Sequence, residues 1–251
     1  MNSFIQALTF MTRIPLPARL EKQGFDESPM WYPLVGIILG TILFLFDAAV
    51  AAWFPSPVEP LLILSAWVFL TGGLHLDGWM DTADGMGSNR DSDKIKEIMT
   101  DSRVGAMGVL AVVLLLMLKA GALIVLADTS DPYFAIVLIL ACVWGRMGAV
   151  VGIRFFPYAK MDGLGKGMRQ HLNWKRFGWA LVCTILPTVI WLGFAGLIVG
   201  LFVLVGTGWI GRKATKTIGG CTGDIYGAMI EAGELVWLLF FTIPEVQALC
   251  V

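Results

Sequence analysis

From Gly105 to Ala127 the chain carries a single charged residue, Lys119, and stretches of the same kind recur from one end to the other. A helix needs about twenty predominantly apolar residues to cross the hydrocarbon of a bilayer. Further candidate spans are Trp31–Phe54, Leu61–Leu76, Tyr133–Ile153 and Asp224–Ile243. The run Phe177–Ile210 is too long for one crossing and too short for two with a generous loop. Pro187, Gly193 and Gly196 interrupt it, so a tight helical hairpin turning near Gly193–Gly196 is expected. The sequence thus predicts an all-α, polytopic transmembrane bundle of about seven spans. Composition agrees: 57% of the residues are hydrophobic and only 15% charged, with a mean hydropathy of +0.76, whereas soluble domains carry about a quarter charged residues. Ten Trp and 29 Gly fit as well, since Trp gathers at membrane interfaces and Gly is frequent in transmembrane helices.

Lys and Arg set the expected orientation. The N-terminal segment and the connections after spans two, four and six hold 16 of the 18 basic residues, and Lys119 and Arg146 lie inside spans. The alternate connections, Pro55–Pro60 and Asp128–Pro132, hold no basic residue. Positive charge marks the cytoplasmic side, so the N-terminus and every long loop are expected in the cytoplasm. The first twelve residues lack a basic leader and a small-residue cleavage site, so no cleavable signal peptide is expected. They read instead as a short amphipathic helix with Phe4, Ile5, Leu8 and Met11 along one side. The whole chain reads as one membrane domain: an N-terminal segment over 1–30, a helical bundle over 31–243 and a short tail over 244–251. A net charge of −1 argues against nucleic acid as a partner. Cys142, Cys183, Cys221 and Cys250 form no CxxC pair, and the first two sit in apolar runs as small buried hydrophobes.

Directly after the second apolar run comes His75-Leu76-Asp77-Gly78-Trp79-Met80-Asp81-Thr82-Ala83-Asp84. Asp77, Asp81 and Asp84 stand at i, i+4 and i+7, one stripe of a helix. Their hard oxygens suit Mg²⁺ or Mn²⁺ rather than soft metals. Carboxylates are costly near a membrane, so three of them where an apolar helix meets water point to chemistry. Gly72, Gly73, Gly78, Gly85 and Gly87 surround them and permit close backbone approach to a bulky ligand. His75 points to a different side of an ideal helix and is an alternative proton acceptor. The polar residues gather at one set of helix ends rather than near the midplane, which favours an interfacial enzyme over a carrier.

Two further patches lie on the same expected side. In Asp101-Ser102-Arg103-Val104-Gly105-Ala106-Met107-Gly108, the planar fork of Arg103 suits a phosphate, and Gly105 and Gly108 allow tight contact. Asp101 there is either a further ligand or a helix N-cap. In Gly219-Gly220-Cys221-Thr222-Gly223-Asp224, a glycine-rich turn, with Thr222 and Gly223, opens a helix whose N–H groups suit a phosphate. Asp224 would repel that phosphate unless a cation lies between them, which points to a metal-bound diphosphate. Glu231 and Glu234 follow one to two turns into the membrane, and Glu234 is a candidate for a second metal site with Asp224. Arg146 either clamps a phosphate or answers Glu231 or Glu234. Lys119 either snorkels or pairs with an acid on a neighbour. Lys160-Met161-Asp162-Gly163-Leu164-Gly165-Lys166-Gly167 suits a lid over an anionic substrate or a lipid-headgroup contact.

The stretch from Gly72 to Gly85 resembles the signature of the cobalamin synthase (adenosylcobinamide-GDP ribazoletransferase) family. Thr12-Arg13-Ile14-Pro15, Asp101-Ser102-Arg103-Val104-Gly105 and Gly219-Gly220-Cys221-Thr222-Gly223-Asp224 extend that resemblance in order along nearly the whole chain. Lys160 stands where the family pattern leads one to expect Arg. The resemblance implies a multi-pass inner-membrane enzyme of cobalamin biosynthesis with Mg²⁺ as cofactor and its active site in the cytoplasm. It would transfer the adenosylcobinamide phosphate group from adenosylcobinamide-GDP to the 3′-hydroxyl of α-ribazole, or of its 5′-phosphate, and release GMP. In that reaction Asp77, Asp81, Asp84, Asp224 and Glu234 are the expected metal ligands. Asp84, Asp224 and His75 are the candidate bases, and Arg103, Gly105, Arg146, Thr222 and Gly223 the expected substrate contacts. The acidic motif also looks like that of the CDP-alcohol phosphotransferases, without their Asp-Gly-x-x-Ala-Arg order. The competing readings are therefore another alcohol phosphotransferase acting on a nucleotide-activated lipid and a corrinoid or cation transporter. Membrane lipids are the surrounding medium, and further copies of the chain or other corrinoid-pathway enzymes are compatible neighbours.

Overall fold

The computed structural model describes residues 3–16, 22–129, 131–159 and 165–250. Among them the regular structure is helical. Two short helices, α1 (Ser3–Met11) and α2 (Lys22–Glu27), lead through a 3-10 turn, Ser28–Trp31, into α3 (Tyr32–Val50). α4 (Val58–Thr71) is followed by α5 (Leu74–Gly87), which carries the acidic motif, and the short α6 (Ser92–Ile98). α7 (Ala106–Ala127), α8 (Asp131–Phe155), α9 (Lys166–His171), α10 (Trp174–Ile218), α11 (Gly223–Phe241) and α12 (Pro244–Ala248) complete the chain. Residues 160–164, the first half of the proposed lid, and Arg19 lie outside the described residues.

Four stretches are long and apolar enough to cross a membrane: Gly24–Val50, Ala106–Ala127, Pro132–Phe155 and Trp174–Ile218. α4 and α5 pass that test only as a pair, and they are bent by 87° where they meet. The expected second span, Leu61–Leu76, is therefore corrected: it stops at Thr71, and His75 and Leu76 belong to a helix that turns away. Gly72 (φ 63°) and Gly73 (φ 70°) are both left-handed, a conformation that glycine adopts without steric cost.

α10 would be about 68 Å long if straight, twice the hydrocarbon thickness. Gly193 breaks it, with φ 57° and ψ −146°. The Trp144 indole donates to Thr188 Oγ1 at 3.0 Å and lies against Gly200 as well. In an unbroken helix those two residues would be about 18 Å apart, so the chain reverses at Gly193 as the hairpin reading required. With α10 divided and α11 counted, the architecture is compatible with seven crossings.

α8 is the hub. Of its most apolar window 83% is buried, against 28% for α7 and α10; those two turn Leu114, Met117, Ile190, Phe194 and Leu201 outward. α3 runs antiparallel to α8 at backbone contact, since a Cβ on Gly36 would fall 2.7 Å from the Cys142 carbonyl oxygen. Small residues at helix crossings give the close packing that membrane helices rely on. α11 covers another face, with the Trp144 and Trp237 rings stacked at 5.7 Å and Trp237 donating to the Val137 carbonyl. α1 buries Gln6, Ala7 and Met11, so its inner face is rotated from the expected one; Phe4 and Leu8 pack only in part.

Four charges lie within this apolar interior. Lys119 of α7 is 2.5 Å from both Glu231 and Glu234 of α11, and Arg146 of α8 pairs with Glu234. All four are at most 4% exposed. Two cations thus meet two anions, and the set is neutral. Removing one member strands a buried charge, at a cost of about 3–5 kcal/mol. We therefore expect Lys119→Met to lower the thermal unfolding temperature in detergent clearly, and Lys119→Met combined with Glu231→Gln to recover most of the loss. Equal loss in the double variant would show that neutrality is not what the network supplies.

Candidate active site

The glycine pair at 72–73 sends α5 across the end of the bundle instead of along it. Gly73 donates to Val68 and Asp77 donates back to the Gly73 carbonyl at 2.9 Å, so the bend is closed on both sides. Arg13 ties the N-terminal segment to this corner: its N–H donates to the Leu70 carbonyl at 2.7 Å, and its side chain lies over Gly72.

α5 then meets α11 at the acids themselves. A Cβ on Gly78 would fall 2.7 Å from the Asp224 carbonyl oxygen, and one on Gly227 would fall 3.2 Å from that of His75. Only backbone separates the acidic helix from the start of α11. Thr222 caps that start, accepting from the Ile225 N–H at 3.3 Å and donating to Asp224 Oδ2 at 3.0 Å. The turn before it is pinned where Cys221 donates to Pro157 and Ala159 donates to Cys221. Two motifs distant in sequence thereby share one wall.

The other end of α5 meets α7. Asp84 accepts from the Gly105 N–H at 2.8 Å and the Gly108 N–H at 2.7 Å. It caps α7 from outside, a favourable place for a carboxylate at a helix N-terminus. Gly105 is thus placed by Asp84.

Three cavities adjoin, and Asp77 lines all of them. One, of about 170 Å³, is enclosed by aromatic side chains together with His75 and Asp224. A second, of about 280 Å³, contains Asp81, Asp84, Asp101 and Arg103. The third, of about 520 Å³, contains Thr12, Arg13, Gly72 and Gly73. Asp77 itself is exposed. His75 is 3% exposed, with Nε2 at 3.2 Å from Met11 Sδ and Nδ1 without a hydrogen-bond partner.

Among the described residues no three His, Cys, Asp or Glu side chains converge closely enough to hold a metal by themselves. Asp77, Asp81 and Asp84 thus line one cavity without forming a closed cage, and Asp84 is engaged by two backbone donors. The donor set is nonetheless all hard oxygen, and Mg²⁺ characteristically takes one or two carboxylates and completes its shell with water and substrate phosphate. Asp77 and Asp81 meet that requirement.

Three of the expected site residues are engaged by partners within the protein. Glu234 is engaged by Lys119 and Arg146 inside the bundle and lines none of the three cavities, so its role as a metal ligand is replaced by a structural one. Arg146 takes the second of its two expected roles and answers Glu234. Arg103 makes a fork with Asp101, Nη2 to Oδ2 at 2.6 Å, at the exposed rim of the second cavity. The hydrogen bonds from Arg103 pull the Asp101 carboxyl down to about 2, so the pair is ionised at any physiological pH. Arg154, in the last turn of α8, stacks on Trp174 at 4.1 Å, and Arg176, in the first turn of α10, pairs with Glu27 at 2.8 Å. Sequence reasoning missed Arg13 as part of the site, and missed Phe10, Phe25, Tyr32, Tyr158 and Tyr226 around the first cavity. The Thr12-Arg13-Ile14-Pro15 motif was the available signal for Arg13; the aromatic residues are scattered without period.

The family model described as cobalamin-5-phosphate synthase matches residues 3–242. The chain is similar to the adenosylcobinamide-GDP ribazoletransferase of Brevibacillus brevis, 41% identical with 95% of this chain and 97% of the relative covered. Similar matches are proteins of the same name from Desulfitobacterium hafniense, at 39% with 93% of each chain covered, and from Klebsiella pneumoniae, at 38% with 95% of this chain and 98% of the relative covered. No solved structure matches.

Asp84 and Asp77 separate cleanly by experiment. Asp84→Ala removes the acceptor of two half-buried N–H groups, a loss of about 2 kcal/mol, and should lower the unfolding temperature. Asp77→Asn, at an exposed position, should stay within about 0.5 kcal/mol of the parent. A stable Asp84→Ala variant would contradict the capping role.

Proposed function

The chain belongs to the cobalamin-5-phosphate synthase family, and from that membership we propose that it joins adenosylcobinamide-GDP to α-ribazole, or to its 5′-phosphate, and releases GMP. The observation that carries this reading is the place of Asp77, at the junction of three cavities whose linings differ in chemistry. A two-substrate phosphoryl transfer needs that arrangement: one region for each partner and an anionic centre between them.

The ribose hydroxyl of the acceptor attacks the phosphorus on the cobinamide side. The new P–O bond forms as the bond to the GMP oxygen breaks, and the hydroxyl proton passes to a carboxylate. Asp224 suits that role: it stands across from Asp77 at the start of α11, with one carboxylate oxygen oriented by Thr222. Arg13, which lines the third cavity, would meet a phosphate there, and Arg103, whose Nε and Nη2 are taken by Asp101, would reach one through its remaining N–H groups. Asp77 and Asp81 would hold Mg²⁺, with Asp84 securing the helix that presents them. Such an ion, when bound, neutralises charge on the bridging and leaving oxygens. Asp224 would otherwise face an anionic substrate across a short gap, so a cation in this cleft also relieves like-charge repulsion.

We place the site on the cytoplasmic side of the inner membrane. The charge pattern supports it: Arg13, Arg90, Arg103 and Lys166 belong to connections, and Arg212 and Lys216 to the end of α10, on the side of the acids.

Purified enzyme given adenosylcobinamide-GDP, α-ribazole and Mg²⁺ should release GMP and form the joined corrinoid. Asp77→Asn and Asp81→Asn should each cut that rate on the order of 100-fold while leaving the fold intact. Turnover at the parental rate with unchanged Mg²⁺ dependence would remove both residues from the centre.

A further inference from the structure

The first cavity contains a group of side chains that the acidic chemistry does not use. Phe10 of α1, Phe25 of α2, Tyr32 of α3, Tyr158 after α8 and Tyr226 of α11 surround it. Phe10 and Phe25 meet edge to face at 4.9 Å, and Phe25, Tyr32 and Tyr226 are at most 7% exposed. Five separate segments thus bring aromatic rings to one enclosed space. His75 closes it as a buried polar group with an unpartnered nitrogen. Its other nitrogen faces the thioether of Met11, which accepts hydrogen bonds but donates none. A proton on Nε2 meets that acceptor, and Nδ1 is then the buried nitrogen without a partner.

Size and polarity narrow the occupant. A cavity of about 150 Å³ is enough for benzene, so about 170 Å³ admits a small ring system and not a corrin or a whole nucleotide. Guanine carries donors and acceptors around its edge, and each one set against Phe10, Phe25, Leu74, Ile153 or Ile230 would be buried without a partner, at about 1–3 kcal/mol. An apolar bicyclic base would lose nothing of the kind and would gain stacking on several faces.

We propose that this cavity is the subsite for the base of the nucleoside acceptor, a planar and largely apolar heteroaromatic ring. The assignment rests on the reaction proposed above. With the ring held among Phe10, Phe25, Tyr32, Tyr158 and Tyr226, the ribose emerges where Asp77 and Asp224 line the same cavity. The subsite positions the acceptor, and the second and third cavities are left to the diphosphate donor.

Two measurements test this. In the parent enzyme, free benzimidazole should inhibit competitively against α-ribazole and non-competitively against adenosylcobinamide-GDP; competition against the donor would overturn the assignment. Phe10→Leu, at the half-buried edge of the cavity, and Phe25→Leu should raise KM for α-ribazole on the order of 10-fold, with KM for the donor within about 2-fold. Equal changes in both KM values, or a change in the donor value alone, would also overturn it. Absence of GMP release from the parent enzyme would instead refute the reaction itself, so the two failures are distinguishable.

Discussion

Four buried charges set the terms on which the rest of the molecule is assembled. Lys119, Arg146, Glu231 and Glu234 come from three helices and neutralise one another within an interior that otherwise excludes charge. Each ion is tolerable there only while its partners stand in place. The network therefore does more than hold α7, α8 and α11 together; it fixes their rotation, because a turned helix would bring its charge against hydrocarbon. α11 begins with Thr222 and Asp224 and α7 with the N–H groups that receive Asp84. Fixing those two helices fixes two sides of the candidate cleft.

The third side, α5, obeys a different rule. It contributes acids at one spacing and close backbone contact at another, and both depend on its lying across the bundle. Gly78 against Asp224 and Asp84 against Gly105 are its two attachments, near opposite ends. Between them stands Asp81, within the cavity that also holds Arg103. The polar helix is thus suspended between two apolar ones, and its carboxylates reach the cleft without being buried in lipid. This division separates stability from chemistry: Asp84, Glu234 and Arg146 serve the scaffold, while Asp77 and Asp81 remain at the cavity walls.

Much of the architecture was legible because hydropathy is a local property. Four of the apolar runs, Trp31–Phe54, Gly105–Ala127, Tyr133–Ile153 and Asp224–Ile243, became helices within a few residues of their expected bounds, and the Gly193 reversal followed from the length of its run and the glycines within it. The bend after Thr71 was less visible, because Leu74 and Leu76 prolong the apolar run past the glycines. The candidate acids were legible as a set, but their division of labour was not. Asp84 and Asp81 look alike in sequence, and only the approach of α7 distinguishes them. Glu234 read as a metal ligand because its partners lie more than 80 residues away, at Lys119 and Arg146. The aromatic cavity was invisible for the same reason: its walls come from segments that share no pattern and meet only in the folded state.

The 87° bend also makes α4 a ruler. In most membrane helices an extra residue is absorbed by a change in tilt. Here α4 ends in a helix already docked at both ends, so its length sets the height and azimuth of α5 together. One inserted residue would rotate the acids by about 100° and raise them by about 1.5 Å, carrying Gly78 off Asp224 and Asp84 off the α7 terminus. The interval from Val58 to Thr71 is thus tied to the placement of α5 and its acids, and bilayer thickness alone does not set it.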